Sequence, residues 1–156
     1  MNRWGRFLRA GVLALACLLA SPLLANAAKG DNAVPDQPFV EHRIALQLSD
    51  NDPRKESLVI SVAFKLLEVY GPDKVAIEVV TFGPGIDLLK RDNAKQQFIN
   101  SLVAQGVKFD VCGNTLDTIE RETGSRPAIN PNAVEVAAGV PALLELAEKN
   151  YTIVRP

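Results

Sequence analysis

Short apolar stretches that read as β-strands alternate with amphipathic helix patterns from residue 43 to the end of this chain. Such alternation is typical of parallel sheets whose two faces are both covered by helices. The strand patterns lie at residues 43–48, 74–82, 107–111, 134–137 and 151–154. The helix patterns lie at 53–70, around 98–106, at 115–123 and at 141–149. The sequence therefore predicts a three-layer α/β/α sandwich with a five-stranded parallel sheet.

Right-handed crossovers would bring every strand-to-helix loop to one edge of this sheet, where ligands bind in open α/β folds. The loops predicted to meet there are 49–52, 83–85, 112–115 and 138–139. The loop Gly83-Pro84-Gly85 lacks the later glycine of a dinucleotide fingerprint and the Lys-Ser/Thr of a P-loop. We therefore favour a tight turn at 83–85 and keep Gly83 and Gly85 as candidate residues lining the cleft.

The first 27 residues have the three parts of a secretory signal peptide. Three arginines are followed by an apolar run at 10–24 and by the cleavage motif Ala25-Asn26-Ala27. The run contains a Ser-Pro pair and is short for a membrane span, which needs about 20 apolar residues. We therefore expect a periplasmic or secreted protein without a stable membrane anchor. The predicted organisation is a signal peptide at 1–27, a flexible tether at 28–41 and one α/β domain at 42–156.

Cleavage of the leader would change the charge of the protein and its thiol content. The leader contains three of the 17 Lys and Arg residues and none of the 18 Asp and Glu residues, so the mature chain would carry a formal charge of -4. That charge does not favour binding to nucleic acid or to anionic lipid. Cys17 lies in the leader, and residues 14–16 match a lipobox poorly. We expect Cys17 to be removed rather than lipidated.

Cys112 would then be the single thiol of the domain, at the point where the third strand gives way to a helix. Unpaired amides and the dipole of a helix N-terminus favour a negative charge, and so could stabilise a thiolate or persulfide. We expect Asn114 or Thr115 to cap the helix and Gly113 to leave room for another molecule near the sulfur. The alternative is a buried structural thiol, because free cysteine is among the most buried residue types.

Other chemistries find little support in the sequence. One histidine and one remaining cysteine cannot build a zinc site, and no Cys-x-x-Cys is present, so we expect no metal and no cofactor.

Arg155 ends the last strand and is a candidate counter-ion for a thiolate, although a solvated terminal charge is favoured. His42 starts the first strand at the opposite edge and is expected to be solvated. Residues 50–52 read as a turn and helix cap, since the glycine and distal glutamate of a calcium loop are missing.

Four blocks of the sequence also support a comparison with a known family. The most specific is Gly106 to Leu116 (GVKFDVCGNTL), and the others are residues 47–50, 77–86, and 138–143 with 151–156. Over residues 43–156 the chain resembles the DsrE/DsrF-like sulfur-relay family, in particular its exported single-domain members. The resemblance implies a DsrEFH-like α/β/α fold and a small homo-oligomer.

The same resemblance implies a role for the cysteine. Cys112 would accept sulfur and carry it as a persulfide between donor and acceptor proteins or small sulfur compounds, which makes the protein a candidate sulfurtransferase or sulfur carrier. Gly113, Asn114 and Thr115 would shape the site of the anionic sulfur. The alternative hypothesis is a non-catalytic oligomeric binding module in which the cysteine is structural.

Overall fold

Five parallel strands form the sheet in the computed structural model, which describes residues 39–156. They are β1 (His42–Leu48), β2 (Val75–Thr81), β3 (Lys108–Cys112), β4 (Val134–Val136) and β5 (Thr152–Val154), in the spatial order β4-β3-β2-β1-β5. All seven residues of the central strand β2 are buried. Burial on both faces is the reason why its sequence is a nearly continuous apolar run rather than an alternating one.

Four α-helices and one 3-10 helix cover the sheet. The α-helices are α1 (Pro53–Tyr70), α2 (Gln96–Ala104), α3 (Gly113–Thr123) and α4 (Gly139–Glu148). The predicted three-layer α/β/α sandwich with a five-stranded parallel sheet is therefore confirmed. Residues 83–85 do not form an isolated tight turn, because they begin the 3-10 helix Gly83–Leu89, whose apolar side chains are buried in the core.

The helices are divided unequally between the two faces of the sheet. The side chains of α1, α2, α3 and the 3-10 helix share one large core with the sheet, whereas α4 alone packs a smaller apolar cluster on the opposite face. The chain runs steadily from β1 to β4 across the sheet, so right-handed crossovers place α1, α2 and α3 on one face. The return from β4 to β5 passes over the other face.

This topology gives the sheet a switch point. The loop after β3 leads to α3 on the large-core face, and the loop after the neighbouring β4 leads to α4 on the opposite face. Ligands of open α/β sheets bind outside the carboxyl ends of two neighbouring strands whose connections leave in opposite directions. Cys112 ends β3 at this switch point.

The start of α1 follows the prediction. The Asp52 carboxylate accepts a hydrogen bond from the Arg54 backbone N–H at 2.7 Å, and Pro53 occupies the first helical position. The segment 50–52 is thus a turn and helix cap.

None of the helices within residues 39–156 is long and apolar enough to cross a membrane. The predicted signal peptide, Cys17 and most of the predicted tether lie outside the described residues.

Candidate functional site

Cys112 links β3 to α3. It is the N-cap residue of α3, has extended backbone angles (φ -70°, ψ 111°), and is 4% exposed. The side chains of Phe109 and Val111 belong to the large core. Because successive side chains of a strand point to opposite faces, Asp110 and Cys112 face the α4 side of the sheet. The thiol therefore lies at the predicted sheet edge but is turned into the protein.

The first residues of α3 pack directly against β4. A Cβ atom on Gly113 would lie 2.8 Å from Glu135 Oε1 and 3.1 Å from the Val136 carbonyl oxygen. The Asn114 backbone N–H donates a hydrogen bond to the Ala137 carbonyl at 3.1 Å. The prediction that Gly113 leaves room for another molecule is wrong, because the protein's own neighbouring strand fills that space.

The predicted side-chain cap is also absent from the start of α3. Neither Asn114 nor Thr115 caps the helix, which begins two residues earlier than predicted. The Thr115 hydroxyl instead accepts a hydrogen bond from the Gly83 backbone N–H at 3.0 Å. This bond connects α3 to the 3-10 helix, so the structure does bring Gly83 close to the residues that follow Cys112.

Gly85 has a packing role. A Cβ atom there would lie 2.3 Å from the Leu48 carbonyl oxygen at the end of β1. Only glycine allows the 3-10 helix to approach the strand this closely. Gly85 is buried and lies against β1 rather than beside the thiol.

Arg126 connects α3 to β4 on the protein surface. Its guanidinium pairs with Asp117, with Glu135 at 2.5 Å and with Glu120 at 3.5 Å. Exposed ion pairs are individually worth little, about 0 to 1 kcal/mol. Glu135 is nevertheless the same residue that faces Gly113, so this cluster holds in place the carboxylate that closes the space beside the helix start.

Two buried acids lie on the α4 side of the sheet. Glu78 of β2 is 9% exposed and Asp110 of β3 is 3% exposed. Burial, followed by hydrogen bonding to Glu78 and repulsion from it, raises the pKa of Asp110 to about 8, and Lys108 opposes this weakly. Asp110 therefore keeps its proton at neutral pH and donates it in a hydrogen bond to Glu78. Glu78 Oε2 has no hydrogen-bond partner within residues 39–156.

A tyrosine and an arginine extend this polar group toward the edge of the sheet at which the strands begin. Tyr151 is buried, and burial followed by the charge of Glu78 raises its pKa, while a hydrogen bond from Arg43 lowers it. Arg43 pairs in register with Ala76, and Val80 pairs with Asp110. The polar residues therefore cross the α4 side of the sheet obliquely. We call this line the polar diagonal, and its members are Arg43, Tyr151, Glu78, Asp110 and Cys112.

The sequence did contain a signal for the two acids of the polar diagonal. Glu78 interrupts the apolar run of β2, and Asp110 interrupts that of β3. A carboxyl group inside a buried strand is costly unless it is neutralised or hydrogen-bonded. Such residues are therefore candidates for a functional or structural role, which the sequence analysis missed.

Arg155 does not lie near the thiol. It hydrogen-bonds Asp50 at 3.3 Å, and Asp50 also pairs with Lys55 at 2.7 Å. Three strand spacings separate β5 from β3, which amounts to about 14 Å. The candidate role of Arg155 as a counter-ion of Cys112 is therefore wrong, because β5 pairs with β1 and not with a strand next to β3.

His42 is exposed at the start of β1, as expected, and its ring packs against Tyr70 at a tilt of 40°, with centroids 4.1 Å apart. In the described part of the chain, no group of three or more His, Cys, Asp or Glu residues is placed to hold a metal ion.

Comparison with known proteins supports the fold. No protein-family model matches the chain, and no curated protein matches it. Among solved structures, the chain is similar to a protein of unknown function, MTH1491 from Methanobacterium thermoautotrophicum. The TM-score is 0.66 and the sequences are 26% identical, over 74% of this chain and 100% of that chain. The similarity covers the whole of MTH1491 and identifies the α/β architecture as one shared by the two proteins.

Proposed function

We propose that this protein is an exported DsrE-like sulfur carrier or sulfurtransferase that binds sulfur as a persulfide on Cys112. The observation that carries the proposal is the position of the thiol. Cys112 lies at the carboxyl end of β3, at the switch point where β3 and β4 send their helices to opposite faces of the sheet, and its backbone begins α3. A sulfur anion at the start of a helix is favoured by the helix dipole.

The proposed reaction is a displacement at sulfur. The Cys112 thiolate attacks the terminal sulfur of a persulfide or polysulfide donor, a new S–S bond forms, and the S–S bond of the donor breaks. The rest of a persulfide donor leaves as a thiolate, and the rest of a polysulfide leaves as an anion one sulfur shorter, so the sulfur changes carrier without a net oxidation or reduction. The reaction needs no cofactor and no metal. A thiol on an acceptor protein or small molecule would then remove the sulfur in the same way.

The partners follow from this chemistry and from the resemblance to the sulfur-relay family. They are sulfur donor and acceptor proteins or small sulfur compounds, reached in the periplasm or outside the cell after removal of residues 1–27. Assembly into a homo-oligomer belongs to the same proposal. The exposed apolar side chains of Val140 and Leu144, one turn apart on α4, offer a surface for it.

The second candidate function is a non-catalytic binding module with a structural cysteine. The observation that favours it is the 4% exposure of Cys112. A persulfide carrier with this thiol has to open locally so that a donor can reach the sulfur. A structural thiol needs no such opening and would react only when the protein unfolds.

Sulfur loading separates the two functions. The protein is purified as the cell processes it, with Cys17→Ala so that Cys112 is the single thiol, and is incubated with polysulfide. Intact mass should increase by one or more sulfur atoms that dithiothreitol removes, and the added Cys112→Ser change should abolish the increase. A folded protein that gains no reducible sulfur would contradict the carrier function and support the structural one.

A further inference from the structure

The edge strand β4 covers one side of Cys112 and is itself poorly covered. Val136 pairs with Cys112 in the register of β3 and β4, which places the two side chains about 5 Å apart on the α4 side of the sheet. None of the three residues of β4 is buried. The strand pairs with β3 alone, because it forms one end of the sheet. A barely buried strand thus closes off a thiol that is 4% exposed.

The other elements beside the end of β3 are held more firmly. The central strand β2 is buried along its whole length, and Phe82, which follows it, lies against Gly139 at the start of α4. Helix α4, whose Cα atoms come within 8 Å of those of β3, is anchored by the buried side chains of Leu143 and Leu146. Local opening favours regions with few buried apolar contacts. Of β2, β4 and α4, β4 is therefore the element that separates from Cys112 at the lowest cost.

The segment that carries β4 has a fixed point at each end. Before the strand, the buried Asn130 side chain donates a hydrogen bond to Asn100 at 3.0 Å, and the Asn130 backbone N–H donates to the Leu89 carbonyl at 2.8 Å. After the strand, the anchored helix α4 begins at Gly139. Residues 131–138 can therefore move away from β3 while the rest of the sheet stays folded.

Arg126 fastens β4 to α3. Its guanidinium pairs with Glu135 of β4 at 2.5 Å and with two carboxylates of α3, those of Asp117 and, at 3.5 Å, Glu120. Without the arginine, one negative charge on β4 would face two on α3, and like charges repel. Arg126 therefore makes the junction between α3 and β4 attractive instead of repulsive.

We propose that β4 is the gate of the thiol. Local detachment of residues 131–138 from β3 exposes Cys112, and Arg126 is the positioning residue that keeps the gate closed. The inference deepens the proposed function by naming the regulation of its site, and it rests on that function for the use made of the exposed sulfur. It also supplies the local opening that a carrier with a buried thiol requires.

The first test is the rate at which iodoacetamide, a neutral reagent, alkylates Cys112 at one fixed pH, with Cys17→Ala in every version. Arg126→Gln should speed the reaction roughly three- to tenfold, the size of effect that a few exposed ion pairs supply. Arg121→Gln is the matched control, because Arg121 is exposed on the same helix and hydrogen-bonds Thr118 within it. An unchanged rate in Arg126→Gln, or equal acceleration in both arginine variants, would overturn the proposal.

Salt tests whether the clamp is electrostatic. Raising sodium chloride from about 0.1 M to about 1 M shortens the Debye length from about 10 Å to about 3 Å. The wild-type rate should rise, because the ion pairs of Arg126 are screened. The rate of Arg126→Gln should fall, because the repulsion between its carboxylates is screened as well. The two rates should therefore converge, and a ratio that does not change with salt would contradict the role of Arg126.

Hydrogen exchange at Asn114 reports the same opening without using the thiol. The first N–H groups of a helix have no partner inside it, and that of Asn114 donates to the Ala137 carbonyl, just after β4, at 3.1 Å. Exchange at Asn114 should accelerate in Arg126→Gln by the same factor as alkylation, while the amides of β2 keep their wild-type rates. Acceleration spread equally over β2 would indicate general destabilisation and would overturn the gate.

A further measurement needs no change at Arg126. The slope of the logarithm of a reaction rate against urea concentration is proportional to the surface that the preceding opening exposes. Because residues 131–138 are a small part of the domain, the slope for Cys112 alkylation in the Cys17→Ala protein should be far below that of global unfolding. Equal slopes would mean that the sulfur is reached only by complete unfolding, which would disprove the gate.

The two proposals can fail separately. Alkylation and hydrogen exchange need no sulfur donor, so a protein whose gate responds to Arg126 but which gains no sulfur from polysulfide disproves the carrier function and leaves the gate standing. A protein that gains sulfur but alkylates independently of Arg126 disproves the gate alone.

Discussion

Glu135 occupies the space in which a side chain at position 113 would lie, with Oε1 2.8 Å from the position of a Cβ atom on Gly113. Arg126 pairs with the same carboxylate, and the Val136 carbonyl oxygen lies 3.1 Å from the Cβ position. The approach of α3 to β4 therefore depends on the absence of a side chain at the residue that follows Cys112.

Gly113→Ala should lower the free energy of unfolding by about 1 to 3 kcal/mol, the usual cost of overpacking a closely fitted site. Urea denaturation of both proteins measures the difference. The control is Glu135→Ala, which removes the obstructing carboxylate. Combined with Gly113→Ala, it should recover part of the loss, because only the Val136 carbonyl then remains close. Simple additivity of the two substitutions would contradict the steric explanation.

Asp110 should make the protein less stable as the pH rises. Its pKa in the folded state is raised to about 8, so the folded protein holds a proton that the unfolded chain releases near pH 4. Between these values the folded state binds the extra proton, and the free energy of unfolding falls with pH by up to about 1.4 kcal/mol per unit. The contribution is complete below pH 4 and lost above pH 8.

Thermal unfolding between pH 4 and pH 8 measures this effect as the difference between wild type and Asp110→Asn. The comparison cancels the contributions of Asp50 and Glu41, which have the opposite sign. Hydrogen bonds donated by lysine side chains lower the pKa values of these two carboxyl groups. Wild type should lose stability with rising pH relative to the variant. A difference that is constant over this range would show that Asp110 does not keep its proton in the folded state.

Local periodicity was sufficient to predict the sheet and the four α-helices, because each strand and helix stripe is a repeated pattern of buried residues. The position of Cys112 at the carboxyl end of β3 followed from the topology. The contacts of Gly113 and Gly85 could not be predicted, since both depend on which strand lies alongside. The same reason explains why the candidate role of Arg155 as a counter-ion fails, whereas the favoured prediction was a solvated charge. Glu78 and Asp110 were within reach of sequence reasoning, because an acid in an apolar strand is itself a signal.

The hydrogen bond from the Gly83 N–H to the Thr115 hydroxyl should support the start of α3. Thr115→Val keeps the shape of the side chain and removes the acceptor, leaving a half-buried N–H without a partner. We expect a loss of about 1 to 3 kcal/mol in unfolding free energy and faster hydrogen exchange at the Gly83 amide. Thr115→Ser retains the hydroxyl and should keep the amide protected. Equal exchange at Gly83 in the three proteins would show that the bond does not form in solution.

Arg155→Gln should leave the chemistry of Cys112 unchanged. Arg155 pairs with Asp50 beside β1, about 14 Å across the sheet from the end of β3, and it is largely exposed. At physiological ionic strength the Debye length is about 8 Å, so a solvated charge at this distance is mostly screened. The alkylation rate of Cys112 in a Cys17→Ala protein should therefore stay within about twofold of the wild-type rate at every pH. Slowing that disappears at high salt would instead mean that Arg155 acts on the thiol through its charge. In that case the end of the chain would have to approach the carboxyl end of β3 in solution.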